Sequence, residues 1–148
     1  MATNNHNFTF DSELELKDAG LIGASAACQV GAVDRILDLG LGYFEGRLIF
    51  DWTALEVDTG NEKYEAEWQL SNSATFASGN VCACVIKLGD SSVNGSSADT
   101  ASSGRIVQPV CNEFAGTLYS YGRLYLRIAG TIATGINCSA FLAEKNPN

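Results

Sequence analysis

Apolar and polar residues alternate with a period of two along most of this chain, and the clearest run is Glu62–Phe76, EKYEAEWQLSNSATF. Tyr64, Ala66, Trp68 and Leu70 alternate with Glu65, Glu67 and Gln69, which predicts a strand with one buried and one wet face. Ser71-Asn72-Ser73 then turns the chain, and Phe76 is placed to pin that turn back. Arg47–Val57 predicts a second strand with Leu48, Phe50 and Trp52 on one face, and the intervening Asp58–Asn61 reads as a hairpin turn pairing the two antiparallel. Tyr121–Ile128 repeats the alternation: Leu124, Leu126 and Ile128 face in, while Arg123, Tyr125 and Arg127 face out.

Val81–Leu88 is apolar on both faces, the mark of a central strand, whereas Pro109 puts Arg105–Val110 at an edge or a strand end. Ile136–Ala143 closes the sheet with Ile136, Cys138, Ala140 and Leu142 on one side. Phe8–Leu16 predicts a first strand, broken by Asp18-Ala19-Gly20. Leu21–Ala32 reads as a loop or a short strand, and Val33–Leu39 as a helical turn or an extended piece, with Gly40 and Gly42 marking a turn. Residues 1–12 form a polar arm, 89–104 (GDSSVNGSSADTASSG) an exposed, mobile loop, and 144–148 a free tail. The expectation is an all-β single domain over residues 1–148, a jelly-roll-like sandwich of about eight short antiparallel strands.

Charge removes several functions. The 148 residues carry a formal charge of −8 with only 9 Lys and Arg and no basic cluster, so phosphate-rich partners, nucleic acid and anionic membranes alike, are not expected. MATNNHNFTF has neither a basic nor an apolar region of the kind a signal peptide needs. Cys28, Cys82, Cys84, Cys111 and Cys138 are odd in number and widely spaced, which predicts reduced thiols made in a cytoplasm.

Reactive chemistry is thin. The single histidine, His6, sits in the polar arm and gives no support to acid–base or triad catalysis. Cys82 and Cys84 share a face of a regular strand, but a zinc site needs Cys111 and Cys138 to converge on them, and small buried side chains explain them better. Asp51, Glu65 and Glu67 invite comparison with a glycosidase pair, yet Glu65 and Glu67 lie on the wet face, where carboxylates ordinarily just solvate. Trp52 and Trp68 would stack sugars if exposed; their inward position predicts core packing instead. Asp90, Asn94 and Asp99 lack the offsets of a calcium loop. No catalytic residue, metal ligand or cofactor is assigned. What remains is surface: the outward Arg123, Tyr125 and Arg127, residue types that anchor protein interfaces, and Phe8 and Phe10, apolar groups on an otherwise polar arm.

The stretches FTFDSELELKDA, YEAEWQLSNSATFASG, VCACVIKLGD and GRLYLRIAGTIATGINCSAFLAEK, taken in order and spacing, resemble the small cement, or head-decoration, proteins of tailed bacteriophage capsids. The shared elements are a strand ending in a Ser-Asn turn with a downstream Phe, an R-x-Y-L-R-type strand, a Gly-Thr turn, a second Gly and a short apolar closing strand. The chain departs from that pattern in its cysteines and its long 89–104 loop. The resemblance implies a jelly-roll-like fold without catalysis, made in the host bacterial cytoplasm and assembled as a homodimer or homotrimer on the outer surface of the virion. There it would bridge major capsid proteins and brace the shell, with Phe8 and Phe10 toward the capsid and Arg123, Tyr125 and Arg127 in protomer or capsid contacts. The rival readings are a carbohydrate-binding jelly-roll module and a tail or baseplate accessory protein.

Overall fold

The structure, a computed structural model, describes residues 10–144. A short 3-10 turn, Ser12–Leu14, is capped by Asp11 and leads into β1 (Glu15–Ile22). Four two-residue strands follow: β2 (Ala26–Ala27), β3 (Gln29–Val30), β4 (Val33–Asp34) and β5 (Leu37–Asp38). The long strands are β6 (Glu45–Leu55), β7 (Lys63–Ser71), β8 (Val81–Gly89), β9 (Gly104–Cys111), β12 (Tyr121–Ala129) and β13 (Ile136–Glu144). The four-residue helix α1 (Ser91–Asn94) follows β8, and a small hairpin, β10 (Glu113–Phe114) with β11 (Thr117–Leu118), precedes β12.

Two antiparallel sheets face each other. The first has the order β1-β13-β6-β9; the second runs β2-β12-β7-β8, with β5 also pairing β12. Because β2 and β5 share one position beside β12, the strands fill eight positions, and the chain passes between the sheets in jelly-roll order. The expected all-β sandwich of about eight antiparallel strands is therefore the fold observed.

The core follows from the alternation. Leu48, Phe50, Ala140 and Leu142 of the first sheet meet Tyr64, Trp68, Leu70, Leu124 and Leu126 of the second, all essentially without solvent contact. Burying each large side chain contributes about 1.5–3 kcal/mol. Trp68 sits over Gly122, where a Cβ would lie 2.4 Å from the indole, so that position admits only glycine without rearrangement. The indole N–H groups keep partners: Trp68 donates to the Cys111 carbonyl at 3.0 Å and Trp52 to the Ala101 carbonyl at 2.8 Å.

Five expectations are corrected. β6 and β7 do not pair; they belong to opposite sheets, and residues 56–62 are a crossover. Its ends are fixed by buried carboxylates: Glu56 accepts the amides of Ala133, Thr134 and Gly135, and Glu62 those of Thr59, Gly60 and Asn61. β8 is an edge strand, with Val85 and Lys87 exposed, and not a central one. A bulge opposite Trp68 and Gln69 sets Cys84 against the core side and Cys82 on the outer side, so they do not share a face. Asp18-Ala19-Gly20 bulges β1 without ending it; the buried Lys17 ammonium fills the bulge by donating to the carbonyls of Asp18, Gly20 and Cys138. Among the described residues strand character starts at Glu15: residues 10–14, expected to belong to a first strand, are not strand, because Asp11 caps Ser12–Leu14 as a helical turn, and Phe8 lies outside the described residues.

The 89–104 loop is mostly exposed, as expected, but it is tied down. Gly89 and Thr100 exchange hydrogen bonds, Asp99 accepts the Ser91 amide, and Trp52 holds Ala101.

Candidate functional site

The outer face of the second sheet carries the most ordered set of polar side chains outside the crossovers. It is built by the pairing of β12 with β7, which sets Arg123 opposite Gln69, Tyr125 opposite Glu67 and Arg127 opposite Glu65. With Leu124 and Leu126 committed to the core, the period of two turns Arg123, Tyr125 and Arg127 outward. Pairing of β7 with β8 continues the face through Cys82, Val85 and Lys87.

These side chains form one network. Arg127 donates from Nε to Glu67 Oε1 at 2.8 Å and from Nη2 to Oε2 at 3.3 Å. Gln69 Nε2 donates to Glu67 Oε2 at 2.7 Å, which fixes the amide so that its Oε1 faces Arg123 Nε at 2.8 Å. The Arg123 guanidinium lies 4.4 Å from the Phe76 ring centre and 5.4 Å from that of Tyr125; Arg127 lies 5.2 Å from Tyr125 on the other side. Cations stacked on aromatic rings are held in orientation as well as attracted. Glu67 is only 7% exposed, so it is not the solvated carboxylate that alternation implied. The hydrogen bond from Arg127 holds its pKa below the usual carboxylate range against the opposing effect of burial, with help from Gln69. The same contact raises the pKa of Arg127.

The remaining candidates are dispersed. Phe8 and His6 lie outside the described residues. Phe10 packs edge-on against Phe141, 5.4 Å between ring centres, on the outer side of the first sheet, and keeps 54% of its surface exposed. Trp52 and Trp68 are buried, as their inward alternation requires. Asp51 is engaged bidentately by Arg105 at 2.6 and 2.9 Å, and Glu65 pairs with Lys63. Asp90, Asn94 and Asp99 direct oxygens to amides of their own loop, at Ser92, Ser96 and Ser91. The five cysteines are free thiols, and no cluster of three or more metal-ligating side chains occurs among the described residues. Burial pushes the thiol of Cys28 up to about 12 and that of Cys138 to about 11, so both are poor nucleophiles. A groove of about 410 Å³ runs past Leu14, Leu37, Leu39 and Phe44; the Arg35 guanidinium on its wall is spent on the carbonyls of Glu13 and Glu15.

Comparison with known protein families and with curated proteins gives no match to this chain.

Three members of the network, Glu67, Gln69 and Phe76, were not singled out by the sequence as partners of the arginine row. A usable signal existed: Glu65 and Glu67 on one strand and Arg123 and Arg127 on another, all at outward positions of a period of two, are what a cross-strand charge ladder looks like. The hairpin-like composition of Asp58–Asn61 conceals it, because it points the acidic strand at β6 and not at β12.

Proposed function

We propose that this protein is a capsid cement protein of a tailed bacteriophage. It binds the outer surface of the icosahedral shell, bridges major capsid subunits and stabilises the head mechanically, without catalysis. The observation that carries the reading is the Arg123–Tyr125–Arg127 row, held rigid on an open sheet face and not at the bottom of a cleft. Arginine and tyrosine are the side chains that anchor protein interfaces, and prior ordering lowers the entropy that association costs. The sequence resemblance points the same way, and it covers both strands that build this face.

Symmetry supplies the strength such a contact needs. An icosahedral shell presents equivalent sites in many copies, and an oligomer engaging several of them gains affinity without any single deep pocket. A sugar-binding role gains nothing from the two tryptophans, both of which are core residues.

The test is co-sedimentation with undecorated heads produced from the genome that encodes the chain. The wild type is expected to pellet with heads, saturably and in a fixed ratio to the major capsid protein, and to raise the temperature at which heads rupture. Absence of saturable binding, or genes around this one that encode no head proteins, would overturn the reading.

A further inference from the structure

We propose that Arg123 is a preformed seat for a carboxylate, delivered as an aspartate or glutamate side chain on the surface of the protein that this face docks against. The identity of that partner rests on the function proposed above; the chemistry of the seat does not.

The guanidinium is held on three sides. Its Nε donates to Gln69 Oε1 at 2.8 Å, one flank rests on Phe76 at 4.4 Å, and Tyr125 stands 5.4 Å away. Its Nη1 and Nη2 groups have no partner among the described residues. The other arginine of the row is spent: Arg127 compensates Glu67, and Lys63 compensates Glu65. Arg123 is thus the guanidinium of the row that no carboxylate hydrogen-bonds, although its charge helps to lower the Glu67 pKa from a distance, in a chain of net charge −8 whose other cations mostly have partners at hand.

The support beneath it is strained. Phe76 has φ of 56°, in the left-handed region that bulky side chains avoid, yet its ring is 5% exposed and lies outside the main core, under Arg123. Such conformations persist where the surroundings over-determine them, and they concentrate at sites that bind. Here the turn is locked by the Phe76 amide on the Ser73 carbonyl at 3.1 Å and by Asn80 Nδ2 on the Phe76 carbonyl at 3.0 Å.

A fixed guanidinium with an open pair of N–H donors matches the geometry of a carboxylate, which it binds through two parallel hydrogen bonds. The face is a flat sheet, and small free ligands are normally held in concave sites. A carboxylate carried on a protein surface is therefore favoured over a free one. A sugar acid is the competing carrier, and the experiment separates the two.

The arginine Nε–Hε resonances of the nitrogen-15-labelled full-length protein are followed while sodium acetate, and separately sialyllactose, is added at constant ionic strength. In parallel, the wild type, R123Q and R123K are bound to undecorated heads, with thermal melts confirming that each variant is folded. The proposal expects a saturable acetate shift at Arg123 with Arg105 and Arg127 unmoved, and affinity for heads reduced about tenfold or more in R123Q. R123K, which keeps the charge but loses the fork, should fall between. No acetate shift at Arg123, or wild-type affinity of folded R123Q for heads, overturns it. Sialyllactose acting well below the acetate concentration overturns the protein-borne carboxylate in favour of a sugar acid. Failure of the wild type to bind heads overturns the decoration reading instead, and the acetate titration still decides the seat.

Discussion

Arg127 and Glu67 illustrate how one residue can stabilise without being buried itself. The arginine is half exposed, so water screens its charge, and an exposed pair of this kind contributes at most about 1 kcal/mol. Removing it leaves Glu67 buried with Gln69 as its remaining hydrogen-bond donor. R127A is expected to lose about 1 kcal/mol in urea unfolding and to raise the pKa of Glu67, readable by carbon-13 NMR of the carboxyl; an unchanged Glu67 titration would show that the pair is not formed in solution. At Gly122 the cost is steric. G122A drives a methyl into the Trp68 ring and is expected to cost about 1–3 kcal/mol or more, with altered tryptophan fluorescence. The inward set, Leu124, Leu126, Trp68 and Leu70, was legible because a period of two leaves no choice of face once one residue is assigned. Phe76 was legible as a pinned residue, but not as the shelf for Arg123, because nothing local reveals which distant strand passes over a turn.

The crossover between β6 and β7 is where element-level reasoning misled. Asp58-Thr59-Gly60-Asn61 has the composition of a hairpin turn, and the hydrophobic pattern on either side suits pairing. The side chains that decide otherwise are Glu56 and Glu62, whose carboxylates replace the missing ladder as acceptors for loop amides. For Glu62, burial is the largest single influence and pushes the pKa up, but the hydroxyl and amide of Thr59 and neighbouring amides outweigh it, and the pKa ends at about 2. The Glu56 pKa is likewise lowered, chiefly by the amides of Thr134, Ala133 and Gly135. A depressed carboxylate pKa gives stability that is complete above the ordinary value of 4.5 and is lost as pH falls toward about 2. The melting temperature should therefore drop across that interval. E62Q should lower it at neutral pH and make the acid drop shallower; equal acid slopes in the two proteins would contradict the anchoring role. β8 misled for a different reason. Its Cys, Ala and Val residues read as buried on both faces, but small side chains are also tolerated at an edge guarded by a bulge and by Lys87.

At the scale of the whole molecule, the two sheets and their strand order make a stiff block with an acidic surface and one organised cationic–aromatic row. Strand count, the edge position of β9 and most strand limits were readable from alternation and turn residues; the partners of strands were not, because pairing across a sandwich depends on contacts far apart in sequence. Jelly rolls serve many functions, so the fold alone does not choose among them, and the choice rests on the row and on the resemblance. If the row docks by charge, association with heads should weaken as salt rises from about 0.05 to 0.5 M, since exposed charges are screened over a few ångströms at the upper limit. The most direct check of the decoration claim is a cryo-electron microscopy reconstruction of undecorated heads mixed with excess protein. The account predicts ordered density on the outside of the shell at symmetry-related positions, with the β7–β12 face and Arg123 against the major capsid protein. Bare shells under saturating protein, or density inside the head, would contradict it.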